Sequence, residues 1–221
     1  MPKIVDPPQT EKRGLAITDL ITFKNSRTEP GGRAELAHKL SMLSFYLCGM
    51  NAVDLFKKQY QIKDGRIEYN RSKTRGKRKD KAFISIKVPY EAFELIEFAA
   101  GLPERYSCIG TLNKSLSKGM EMLSRSTGIP RLQYYKLRHT FGSTARNKCH
   151  MTKDDIAEAL NHVEHGRKTT DIYISKDWSI VDNVQASVIR YMRREEMKNN
   201  VVITPATRTI FAHIELPKLQ P

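Results

Sequence analysis

Two hundred and twenty-one residues suffice for one large domain or two modest ones, so a sizeable core can be built without disulfide or metal staples. Lysine and arginine total 38 against 24 acids; the resulting charge of +14 favours a polyanionic partner, nucleic acid or an anionic membrane surface, over a small neutral substrate. With 39% apolar residues the chain is too apolar for wholesale disorder, yet no apolar run approaches the roughly 18 residues that span a bilayer.

The stretch Met1-Pro2-Lys3-Ile4-Val5-Asp6 has no signal-peptide core. Cys48, Cys108 and Cys149 are odd in number and lack paired spacing, which argues against a disulfide framework or a four-cysteine zinc site. A cytoplasmic location is the expectation.

Residues 1–14 read as a linker. Thr18-Asp19-Leu20-Ile21 reads as a helix start with Thr18 as its cap. From Arg33 the apolar residues Ala34, Ala37, Leu40, Met42, Leu43, Tyr46 and Leu47 predict a long buried helix ending at Cys48-Gly49. Asp64-Gly65, between Tyr60-Gln61-Ile62 and Arg66-Ile67-Glu68-Tyr69, has the turn chemistry of a β-hairpin, and Phe83, Ile84, Ile86 and Val88 form a third strand that stops at Pro89. Helices are then predicted over about 90–100, 112–127, 133–148, 152–162 and 179–197. The fold class expected is α+β, mostly helical, with a small three-stranded antiparallel sheet. Beyond 197, Val201-Val202-Ile203-Thr204 and Ile210-Phe211-Ala212-His213-Ile214 suggest a tail that is a strand or an arm.

Between the second and third strands, residues 71–81 carry seven bases and one acid, Asp80. Projecting from a hairpin end, Arg71, Arg75, Lys77, Arg78 and Lys79 would contact a phosphate backbone with little sequence choice. Lys73 lies close to the strand end, where a positioned ammonium can donate a proton to a departing alkoxide. Further on, Tyr134-Tyr135-Lys136-Leu137-Arg138-His139-Thr140-Phe141 opens a helix whose Leu137 and Phe141 face the core and whose Arg138 lies near the start, where its planar fork can grip phosphate oxygens. Downstream come Ala159-Leu160-Asn161-His162 and, after a polar linker, Thr169-Thr170-Asp171-Ile172-Tyr173-Ile174.

This order of a leucine-arginine-histidine-threonine-phenylalanine box, a leucine-x-histidine, a threonine pair and a tyrosine resembles the tyrosine recombinase (phage integrase) family. The resemblance covers residues 15–197, the family's catalytic domain, and is nearest to integrases of Bacteroides-type mobile elements. It implies that Tyr173 attacks a scissile DNA phosphate to form a 3′-phosphotyrosine. Arg138 and His162 would hold the phosphate oxygens, and Lys73 would act as general acid for the departing 5′ oxygen. It also adds His139 and His165 to the DNA-contacting residues. Phenol, cationic clamps and a proton donor suffice for phosphoryl transfer without metal or other cofactor, and the bond energy kept in the phosphotyrosine removes any need for ATP. The implied partners are double-stranded DNA and further recombinase subunits, with the tail 198–221 docking in cis, docking in trans or staying loose.

Three positions depart from the family pattern. Asn51, in Leu47-Cys48-Gly49-Met50-Asn51, occupies the slot of the first catalytic arginine, and Asp54 matches the acidic position that follows. Tyr135 stands where a histidine or lysine is usual. His162 lies eleven residues before Tyr173 rather than nine, leaving His165 as a rival. Arg71, expected to share a side of a strand with Lys73, is the first candidate for the missing cation. Complete family members carry an N-terminal core-binding domain, so a catalytic portion of a larger protein is the expectation. The rival expectation, carried by Asn51, is a non-catalytic DNA-binding or assembly module descended from such an enzyme. Cys149-His150 and His162-Val163-Glu164-His165 match no zinc spacing.

Overall fold

The computed structural model describes residues 14–58, 60–162 and 176–200, the side chain of Asn200 excepted. Its elements are α1 (Ile17–Lys24), α2 (Arg33–Tyr46), α3 (Ala52–Phe56), β1 (Tyr60–Lys63), β2 (Arg66–Asn70), β3 (Phe83–Lys87), α4 (Phe93–Ala100), α5 (Leu102–Arg105), α6 (Ile109–Thr127), α7 (Tyr134–Asn147), α8 (Lys153–Ala159) and α9 (Trp178–Asn200). This is an α+β fold dominated by helix, with the three strands forming an antiparallel sheet in the order β1-β2-β3.

The hairpin forms where its turn residues predict. Asp64 and Gly65 both take positive φ, 50° and 70°, the twist that matches two antiparallel strands, and they set Ile62 opposite Ile67 and Tyr60 opposite Tyr69; in the second pairing Tyr69 stands opposite Ile84. Helix α2 is buried on nearly every side because Leu36, Leu40, Leu43 and Phe45 are completely enclosed and even Ser41 and Ser44 lie inside. Helix α6 approaches it closely at Gly119, where a Cβ would fall 2.0 Å from the carbonyl oxygen of Arg33.

Two side chains of α9 fasten that helix to the sheet. Asp182 accepts from both terminal nitrogens of Arg66, at 2.7 and 3.0 Å, and from the Lys87 amide at 3.2 Å. Gln185, buried, donates to the carbonyls of Tyr46 and Lys87 at 2.6 and 3.0 Å, joining α9 to the end of α2 as well.

Some boundaries differ from expectation. Helix α1 starts at Ile17 with Ala16 in the cap position and no capping side chain, so Thr18 lies within the first turn; burial of Leu20, Ile21 and Phe23 fixes this helix, not a cap. Helix α8 ends at Ala159 instead of continuing to 162, because Asn161 adopts a left-handed conformation with φ of 48°. Helix α9 runs to Asn200, past the boundary expected at 197. The expected linker up to residue 13 and the tail from 201 lie outside the described residues. Among the described residues no helix is long and apolar enough to cross a membrane.

Candidate active site

The stretch Leu47–Asn51, the loop between β2 and β3, the start of α7 and the end of α8 meet around two arginines. Leu137 and Phe141 are fully buried, and their packing turns Arg138 inward, where only 4% of the residue is exposed. Its Nη1 donates to the Gly49 carbonyl at 2.7 Å and its Nη2 to the Leu160 carbonyl. Gly49 has φ of 76°, and a Cβ there would stand 2.4 Å from Cγ of Arg138. The glycine therefore serves both the turn and the close passage of the arginine. Tyr134 anchors the same turn by donating from its hydroxyl to the Met50 carbonyl at 2.9 Å.

Arg71 is 5% exposed and donates from Nη1 to the carbonyl of Asn161 at 3.1 Å. Burial, followed by the neighbouring charge of Arg71, lowers the pKa of Arg138, whereas Tyr69 and Tyr135 favour its charged form. Among the described residues both arginines thus lean on main-chain carbonyls without a carboxylate partner, and their Nε atoms find no acceptor. Two buried like charges without a counter-charge are costly, and an anion between them relieves that cost.

His162 belongs to the same cluster. Although the residue keeps an exposed side, partial loss of hydration pushes its imidazole down to about 4, and the charges of Arg138, Arg71, His139 and Lys73 add to the effect. At neutral pH it is an uncharged ring with one N–H to donate and one nitrogen to accept. Tyr135 is exposed on α7, its ring edge-to-face with that of His139 at 4.8 Å between centroids. The expected Lys73, Arg71, Tyr135, Arg138, His139 and His162 therefore come together. Tyr173 and His165 lie outside the described residues.

Two expectations for the shape of the basic loop are corrected. Arg71 and Lys73 do not share a strand, because β2 stops at Asn70 and the chain turns tightly, with the Thr74 and Arg75 amides bonded to the Arg71 carbonyl at 3.2 and 2.9 Å. One residue is consequently buried and the other exposed. The loop does not project freely either: Arg78, expected to face DNA, is occupied within the protein by Asp80, at 2.8 and 2.5 Å, and by Oδ1 of Asn161 at 2.6 Å. Lys73, Arg75, Lys77 and Lys79 remain exposed.

Asn51 precedes α3 and does not cap it. Nearby Asp54, 2% exposed, accepts from the Ser72 amide at 2.8 Å and so ties α3 to the basic loop. Sequence reasoning gave no role to Asn161 or Asp80. An asparagine at a helix end was the available signal for the first, since asparagine tolerates the left-handed conformation.

Among the described residues no group of three metal-ligating side chains could hold a metal ion. No family model, no curated protein and no solved structure matches the chain.

Proposed function

We propose that the chain carries the catalytic site of a DNA strand-cleaving and rejoining enzyme of the tyrosine recombinase type. The observation that supports it best is the pair Arg71 and Arg138, two buried cations close enough for the charge of one to lower the pKa of the other, neither of them in an ion pair with a carboxylate among the described residues. They suit the non-bridging oxygens of a phosphodiester, whose charge grows as the phosphorus becomes five-coordinate.

In this reading the phenol of Tyr173 gives its proton to solvent water as its oxygen bonds to phosphorus, the bond to the 5′ oxygen breaks, and a 3′-phosphotyrosine remains. Exposed Lys73, near enough to His162 to influence it, supplies a proton to the departing 5′ oxygen. Neutral His162 donates a hydrogen bond to the phosphate. Arg71 provides the charge that Asn51 cannot. The exposed bases of the loop, Lys77 and Lys79 among them, attract the duplex backbone without reading its sequence. Other subunits, exchanging their C-terminal tails, complete the proposed assembly, which acts on cytoplasmic DNA.

A second reading, a DNA-binding module without cleavage, is favoured by neutral Asn51 in the first arginine slot. A duplex with a nick close to the cleavage position separates the two, because the short released strand diffuses away and traps the covalent adduct. Trapping that disappears in Tyr173→Phe supports the enzyme. Salt-sensitive binding without trapping supports the module.

A further inference from the structure

Every polar group of one buried residue is committed to the pieces that make up the candidate site. Asn161, 5% exposed, donates from its amide to the Glu158 carbonyl at 2.8 Å and accepts Nη1 of Arg71 on its own carbonyl at 3.1 Å. Its side chain accepts Nη1 of Arg78 at 2.6 Å and donates from Nδ2 to the Ala82 carbonyl at 2.8 Å. Ala82 in turn accepts the Arg71 amide at 3.0 Å, so the side chain and the main chain of Asn161 grip the same turn from two sides.

The grip extends further. Arg78 is forked onto Asp80, whose Oδ1 also accepts the Ala82 amide at 3.0 Å and whose Oδ2 also accepts the Lys176 ammonium at 2.5 Å. Burial opposes ionisation of Asp80, but these partners outweigh it and hold its carboxyl well below the usual carboxylate range. The preceding residue, Leu160, takes Arg138 on its carbonyl, so one short turn after α8 spaces the two guanidiniums.

We infer that Asn161 is a positioning residue: together with Arg78 and Asp80 it clamps the 71–82 loop to the end of α8 and thereby places Arg71 beside Arg138. This rests on the function proposed above. A buried asparagine that only completed a helix end would need the left-handed backbone and nothing more, and glycine would replace it. A clamp needs the carboxamide. Arg78, which sequence alone assigns to DNA, is then part of the clamp, and Asp80, the one acid among seven bases, is the counter-charge that keeps it there.

The test uses the whole chain and its variants Asn161→Gly, Arg78→Gln and the double variant, with a nicked duplex as the probe. Glycine keeps the backbone conformation and the carbonyl that takes Arg71, and loses only the carboxamide. At saturating DNA, each single variant should form the covalent adduct about 10- to 100-fold more slowly, the scale of loss that follows from small misplacement of a catalytic group. The double variant should be no slower than the worse single one, and duplex affinity should change less than about threefold. Amide hydrogen exchange in 71–82 of the free protein should speed up in Asn161→Gly while that of α2 and α6 stays as it was. An adduct rate within about twofold of the parent, or unchanged exchange in 71–82, would overturn the inference. If the parent protein itself forms no adduct, the proposed function fails, and the exchange measurement still decides the clamp.

Discussion

The aliphatic stem of Arg138 passes so close to Gly49 that a single added methyl group on the glycine would lie 2.4 Å from its Cγ and 2.9 Å from its Cβ. The carbonyl of that glycine also accepts from the arginine. Backbone conformation and arginine position are therefore set by one residue. Gly49→Ala should cost about 1–2 kcal/mol for the left-handed backbone alone and more for the overlap. Urea unfolding measures that loss. Adduct formation on nicked DNA should fall at least about 10²-fold as Arg138 is displaced. A variant with parental stability and rate would show that the turn can open without moving the arginine.

Arg71 should separate stability from activity. Its charge is buried, repels that of Arg138 and, among the described residues, is supported by one carbonyl. Replacing a buried charge with an apolar side chain of similar length is often neutral or stabilising. Arg71→Met should therefore unfold within about 1 kcal/mol of the parent, or later. Its adduct yield should drop about 10²- to 10³-fold, the cost of losing one donor to the developing phosphate charge. Substantial destabilisation with activity intact would make Arg71 a structural residue.

The exposed and the engaged bases of the loop should differ in how they answer to salt. Lys77→Gln and Lys79→Gln each remove a cation free to meet a phosphate, so each should lower the slope of log affinity against log salt by about 0.9. Arg78→Gln should leave that slope nearly unchanged, because its fork is already occupied by Asp80 and Asn161. Fluorescence titration of a duplex at several salt concentrations reads both. Equal slope changes at 77 and 78 would mean that Arg78 leaves Asp80 when DNA binds.

Acid should weaken the fold through His162. Its folded pKa is about 4 against an ordinary value of 6.5, so between those limits the unfolded chain takes up a proton that the folded one refuses. Stability then falls as pH drops through this window and is level above it. His38, lowered chiefly by burial, acts in the same direction, so His162→Gln should reduce the slope without abolishing it. Thermal unfolding from pH 7 to 4.5 measures the difference. Parallel curves for parent and variant would remove His162 from the account.

The parts of this fold legible in the sequence are those fixed by local chemistry. Asp64-Gly65 selects its hairpin because the turn needs two positive φ values, and the four-residue spacing of Leu137 and Phe141 shows which side of α7 is buried. The state of the basic loop was not legible in that way. A run of lysines and arginines looks the same whether it waves in solvent or folds back, and what folds it back is Asn161, ninety residues from Arg71 along the chain. The ends of α1 and α8 were misjudged for a related reason: tertiary burial moves the cap of the first two residues earlier, from Thr18 to Ala16, and a left-handed asparagine ends the second before His162.

The account turns on one covalent bond. The parent protein, incubated with a nicked duplex and digested, should yield a single nucleotide-bearing peptide whose modification maps to Tyr173, and Tyr173→Phe should yield none. A nucleotide found on any other residue, or no linked peptide under conditions where the duplex is bound, would contradict the assignment of cleavage to this chain.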